Sequence, residues 1–156
     1  MDKKNIKALV LDIDGTMTDG GIYIGNDGEC MKRFYVRDGL AIKHILPEHG
    51  IIPVVITGRS SAITAKRCEE LDIKVLVQGC QNKISALEKI LSEYGITLAE
   101  TAYIGDDIND VECMRAAGLA GCPRDAVKAA KEAADFISSY DGGRGAVREF
   151  IEWIIS

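Results

Sequence analysis

The chain has 156 residues, 47% of them hydrophobic and 28% charged, with 19 Lys+Arg against 24 Asp+Glu for a formal charge of -5. That is enough chain for one domain with a buried core, so residues 1–156 are expected to form a single folded unit with one active site. The composition excludes disorder, and the acidic balance without a Lys/Arg cluster excludes a nucleic-acid partner, leaving a small molecule as the expected ligand.

Met1-Asp2-Lys3-Lys4 leads directly into a short apolar run, with no long apolar h-region and no stretch long enough to span a bilayer. No secretory leader and no membrane association are expected. Five cysteines, Cys30, Cys68, Cys80, Cys113 and Cys122, are scattered and odd in number, as suits reduced thiols acting as small core hydrophobes in the cytoplasm.

Lys7 to Ile13 is rich in Leu, Val and Ile and is followed by a polar turn, which predicts a buried parallel strand. Gly21 to Phe34 predicts a hairpin turning at Gly25-Asn26-Asp27-Gly28. Beyond it the pattern alternates: helix near Asp38 to His49, strand Ile51 to Ile56, helix Ser60 to Leu71, strand Lys74 to Val77, helix Lys83 to Tyr94. Strand Thr101 to Ile104, helix Ile108 to Ala117, a short apolar piece at Leu119 to Gly121 and a last helix complete it. Such alternation predicts an α/β fold, a three-layer Rossmann-like parallel sheet with helices on both faces, plus the β-hairpin as a flap.

In a sheet of this kind ligands sit beyond the carboxyl ends of the strands. That rule selects Asp12-Ile13-Asp14-Gly15-Thr16, Thr57-Gly58-Arg59, Gln78 to Lys83, and Gly105-Asp106-Asp107-Ile108-Asn109-Asp110. Asp12 and Asp14 are two apart, so at a strand end both carboxylates start on one side; a divalent metal offsets their repulsion and leaves one as nucleophile and the other as proton carrier. Asp-x-Asp-Gly alone is also an ordinary polar turn. As a calcium loop it would put Met17 at the required glycine and Tyr23 at the bidentate glutamate, so that reading falls. Asp106, Asp107 and Asp110 follow an apolar strand too densely for a helix-dipole complement alone, and hard oxygen-binding metal is their natural partner. Thr57 and Gly58 could hold a phosphoryl oxygen; Lys83, taken alone, is a surface lysine at a helix start.

Together and in order, these segments resemble the haloacid dehalogenase superfamily of phosphohydrolases, whose pattern is Asp-x-Asp-x-Thr, a Ser/Thr ending strand two, a Lys and a terminal acidic Gly-Asp-Asp-x-x-x-Asp. The resemblance implies that Asp12 attacks phosphorus, Asp14 moves the proton, and Thr57 and Lys83 hold the phosphoryl group. It implies Mg²⁺ on Asp12, the Asp14 carbonyl and Asp106, with Asp107 and Asp110 orienting waters or Lys83. The short spacings between Asp14, Thr57 and Lys83 leave no room for a cap domain.

A finer resemblance, to the 3-deoxy-D-manno-octulosonate 8-phosphate phosphatase family, is carried by Phe34-Tyr35-Val36-Arg37-Asp38-Gly39, Ile56-Thr57-Gly58-Arg59, Gln78-Gly79 with Asn82-Lys83, and Gly142-Gly143-Arg144-Gly145-Ala146-Val147-Arg148-Glu149. It implies a capless homotetramer acting on a sugar-acid phosphate, with Arg37, Gly58, Arg59 and Arg144 in substrate recognition. Phosphatases of nine-carbon ulosonate 9-phosphates are the closest rivals, and the Glu they tend to carry in place of Arg59 favours the eight-carbon acid. A receiver domain orders its acceptor Asp and acidic pair the other way round. A nonenzymatic oligomerisation module would have no need of Asp14 and Lys83 together.

Overall fold

The computed structural model describes residues 3–156; Met1 and Asp2, on which part of the N-terminal reading rests, lie outside them. The first strand, β1 (Ala8–Leu11), is apolar at every position because both its faces are covered. The flap hairpin β2 (Tyr23–Gly25) and β3 (Gly28–Met31) follows. Next comes a helical stretch, α1 (Val36–Leu40), which continues through a wider turn at Ala41–Ile45 into α2 (Leu46–Glu48). Strands and helices then alternate as β4 (Ile52–Ile56), α3 (Ala62–Glu70), β5 (Val75–Val77), α4 (Lys83–Tyr94), β6 (Thr101–Ile104) and α5 (Val111–Ala116). The chain finishes with β7 (Leu119–Cys122), α6 (Lys128–Ala133), β8 (Phe136–Ile137) and α7 (Ala146–Ile155).

The main sheet is parallel throughout, in the order β5-β4-β1-β6-β7-β8. Alternation along β1 divides the core in two: Leu9 and Leu11 pack with Ile42, Leu46, Phe150 and Ile151, while Ala8 and Val10 pack with Leu87, Leu91 and Met114. The layers are therefore α1, α2, α3 and α7 on one face and α4, α5 and α6 on the other. Among the described residues no helix is long and apolar enough to cross a membrane.

Several local expectations shift. The first helix begins at Val36 rather than Asp38, and the Asp38 side chain serves elsewhere: Gly145, the residue before α7, has no capping side chain, and Asp38 Oδ1 accepts the N–H of Arg148 at 2.9 Å instead. Burial pushes the Asp38 carboxyl up to about 6, against the Arg148 and Gly145 amides. Helix α6 and strand β8 are six and two residues long, too short to show a period, and were not anticipated. Cysteines 68, 113 and 122 are core residues as expected, whereas Cys30 is exposed on the hairpin.

Candidate active site

Asp12 leaves β1 at the point where strand order reverses, between β4 on one side and β6 on the other. Side chains beyond the carboxyl ends of all three strands converge there. Its carboxylate is buried, and Lys83, at the first position of α4, donates to Asp12 Oδ1 at 2.8 Å and to Asp110 Oδ1 at 2.7 Å. Asp110 also accepts the Tyr103 hydroxyl at 2.8 Å and the backbone amides of Asp106 and Asp107 at 3.0 and 3.2 Å. Four donors thus occupy its two oxygens, so Asp110 fixes both Lys83 and the loop after β6. Thr16 donates to Asp106 Oδ1 at 3.0 Å and ties the first loop to the last.

Two glycines make this crowding possible. Gly15 has φ +91°, and a Cβ there would lie 2.7 Å from Asp106 Cγ; a Cβ on Gly105 would lie 2.6 Å from Asp110 Oδ2.

Asp12, Asp106 and Asp110 each present an oxygen within 4.8 Å of the others. Three carboxylates face one ammonium. Burial first, then Asp110 and Asp106, hold the Asp12 carboxyl well above its ordinary value despite Lys83. Burial, together with Asp110, raises Asp106 to about 6. Burial works against the Lys83 ammonium, but Asp12 and Asp110 outweigh it and keep its pKa above the usual lysine value. Hard oxygen donors with excess negative charge fit a small divalent cation.

Around this centre lies a cleft of about 180 Å³ lined by Asp12, Asp14, Thr57, Gly58, Arg59, Asp106, Asp107 and Asn109. Asp14 and Asp107 sit outside the close triad: Asp14 Oδ1 accepts from Lys32 Nζ at 2.5 Å, and exposed Asp107 accepts the Ile108 amide at 2.7 Å. Arg37 and Arg144 line a different cavity, of about 430 Å³, with Tyr35, Tyr140 and Arg148. The three arginines expected in substrate recognition are therefore divided, and of them Arg59 alone lines the acidic cleft of its own chain.

The sequence pattern of the haloacid dehalogenase-like hydrolases matches residues 73–151. The 3-deoxy-D-manno-octulosonate 8-phosphate phosphatase of Salmonella typhi is 40% identical over 152 residues, covering 97% of this chain and 80% of that protein. The chain belongs to the haloacid dehalogenase-like hydrolases, in the family of 3-deoxy-D-manno-octulosonate 8-phosphate phosphatases. The Moraxella catarrhalis phosphatase, solved with magnesium, phosphate and KDO, superposes with TM-score 0.94 at 40% identity, covering 98% of this chain and 87% of that one. The cobalt-bound Haemophilus influenzae phosphatase gives 0.95 at 38% identity, covering 99% and 90%. As a haloacid dehalogenase-like phosphatase, the protein is a phosphoric monoester hydrolase on a Rossmann-like sheet with a hairpin flap.

Lys32, Glu29, Thr16 and Tyr103 touch the site although sequence reasoning gave them no role. Thr16 had a signal, as the last residue of Asp-x-Asp-x-Thr. Tyr103 had none, being one apolar letter in a strand.

Proposed function

We propose that this phosphatase hydrolyses 3-deoxy-D-manno-octulosonate 8-phosphate to the free sugar acid and phosphate through an aspartyl-phosphate on Asp12. The observation that carries the reading is the buried Asp12–Lys83–Asp110 arrangement at the strand switch, opening on a cleft that also holds Asp14, Thr57 and Gly58. In the first half-reaction an Asp12 oxygen attacks phosphorus, the bond to the sugar oxygen breaks, and Asp14 gives that oxygen a proton. In the second, water passes a proton to Asp14 and attacks phosphorus, the bond to Asp12 breaks, and phosphate leaves. Thr57, the Gly58 amide and Lys83 hold the transferring group. Asp12, Asp106 and the Asp14 carbonyl are the groups that would hold Mg²⁺, with Asp107 and Asp110 behind them. Bound there, the ion supplies neutralisation of phosphoryl charge.

Residues 1–156 act in this reading as one capless domain, working in the cytoplasm as a homotetramer. Support for assembly comes from the hairpin, which exposes Ile22, Tyr23, Ile24 and Met31, with Ile24 74% accessible. Because Arg37 and Arg144 lie off their own chain's cleft, they serve recognition across a subunit boundary. A light-scattering mass of four chains is expected, and a monomer mass at working concentration excludes the tetramer.

Arg59 is the substrate-reading residue of the cleft. Its side chain is 48% exposed and makes a 3.4 Å contact with Glu29 through one nitrogen, leaving the rest of its planar fork for a carboxylate. Phosphate release should be strongest with the eight-carbon ulosonate phosphate, weaker with the nine-carbon one, and absent in excess chelator. Arg59→Ala should lower kcat/KM for the eight-carbon substrate by roughly ten- to a hundredfold, the range of a charge-assisted contact of about 1.5–3 kcal/mol. Hydrolysis of p-nitrophenyl phosphate should barely change; equal losses on both substrates would assign Arg59 to the phosphoryl group or the fold.

A further inference from the structure

Lys32 follows β3 at the base of the hairpin, and its side chain is only 1% exposed. An ammonium at that depth needs anionic partners, and it has two: Asp14 Oδ1 at 2.5 Å and Glu29 Oε2 at 3.1 Å. Glu29 is itself anchored. Its Oε1 accepts the hydroxyl of Ser61, the residue that caps α3, at 2.7 Å, and its Oε2 receives the Arg59 contact. The Ser61 amide donates to Gln78 Oε1 at 2.8 Å, just past β5. The Ser61 hydroxyl and then the Lys32 ammonium hold the Glu29 carboxyl below its ordinary value. One line of contacts therefore runs from Asp14 through the hairpin to the loops after β4 and β5.

We propose that Lys32 is a positioning residue for proton transfer: it holds Asp14 by Oδ1, so that Oδ2 is the oxygen presented to the leaving group, and Glu29 fixes Lys32 in place. The inference rests on Asp14 being the proton carrier. An exposed lysine–carboxylate pair changes partners freely and contributes little. Lys32 has no such freedom, because leaving Asp14 would strand its charge away from water beside Glu29 alone. A carboxylate free to turn about its last torsion would spend much of its time with neither oxygen in line, and a displacement of about 1 Å in such a group costs roughly 10²-fold in rate. The flap then completes the site of its own chain. A lysine that merely fastens the hairpin would affect all substrates alike.

The test uses the full chain with Mg²⁺ and follows leaving-group release in the first turnover, which reports phosphorylation of Asp12 alone. Two esters are compared: p-nitrophenyl phosphate, whose leaving group departs without a proton, and 3-deoxy-D-manno-octulosonate 8-phosphate, whose alkoxide needs one. Lys32→Met should slow the sugar ester roughly 10²-fold with little change in KM. The nitrophenol burst should be preserved and followed by a slowed steady phase, since Asp14 must also receive the proton of water. Lys32→Arg should recover most of the sugar-ester rate. Glu29→Gln, which leaves Lys32 present, should show the same selectivity at smaller size and serves if Lys32→Met does not fold. Equal losses on both esters, or none, overturn the inference while selective loss in Asp14→Asn leaves the proton-carrier reading standing. If Asp14→Asn itself shows no selectivity, that reading falls and the inference falls with it.

Discussion

Asp12→Asn is expected to abolish turnover while leaving the protein folded and at least as stable as before. The amide keeps the shape of the carboxylate, and its oxygen still accepts from Lys83, which now meets the native oxygen at 2.8 Å. What it loses is the nucleophile, and removing the nucleophile of an interdependent site costs on the order of 10⁴-fold or more. The stability claim follows from burial. Asp12 has its pKa raised well above 3.8 in the fold, so the native state binds a proton more tightly than the unfolded chain. A raised carboxylate is most favourable to folding at low pH, and its contribution is lost as pH rises through the folded value. At neutral pH without metal, wild type bears that cost and Asn does not. Urea unfolding in excess chelator should therefore show the variant equal or more stable at pH 7 and the gap closing toward pH 4. Mass spectrometry of the quenched reaction should find a phosphate adduct on wild type and none on Asp12→Asn; activity within tenfold of wild type would sink the covalent route.

The site was legible wherever chemistry stood directly after an apolar strand. Asp12, Thr57 and Asp106 each follow a run such as Ala8–Leu11 or Thr101–Ile104, and in a parallel sheet those ends must meet, so linear order was enough to assemble them. Lys83 was legible only through its place in a known pattern; its buried pairing with Asp12 and Asp110 is a tertiary fact. Lys32 illustrates the limit. It belongs to a hairpin whose neighbours Met31 and Ile24 are exposed, and nothing in a two-residue period says that the hairpin folds back over Asp14. Asp38 shows the same limit in the fold, because it caps a helix more than a hundred residues away, where no local motif can register it. The arginines divide between two cavities for a related reason: Arg59 adjoins a strand end, whereas the positions of Arg37 and Arg144 depend on how α1 meets the start of α7.

Lys83→Met should be the most damaging substitution to the fold of the metal-free protein. Lys83 is 4% exposed and bonded to two carboxylates, each itself buried. A lysine on the surface would be worth about 0–1 kcal/mol in such a pair. Removing one member of a buried pair costs about 3–5 kcal/mol, because the remaining charge is left without compensation. Here two carboxylates would remain, with Asp106 beside them. The sign of the pH dependence separates this from simple loss of packing. Lys83 has its pKa raised above 10.5, so its stabilising contribution is fully present at neutral pH in wild type. Without it the Asp12 carboxyl is pushed higher still, and the deficit of the variant should be small near pH 4 and widen as pH rises toward 8. A packing defect would be the same at both ends. In chelator the unfolding midpoint should fall accordingly, and Mg²⁺ should restore part of it, since a cation held by Asp12 and Asp106, with Asp110 behind them, offsets the same repulsion. Turnover with Mg²⁺ should still drop roughly 10²–10³-fold, the loss typical of removing one preorganised donor to a reacting group. A deficit below about 1 kcal/mol at pH 8 with turnover intact would show that the buried pairing of Lys83 contributes no more than a surface ion pair does.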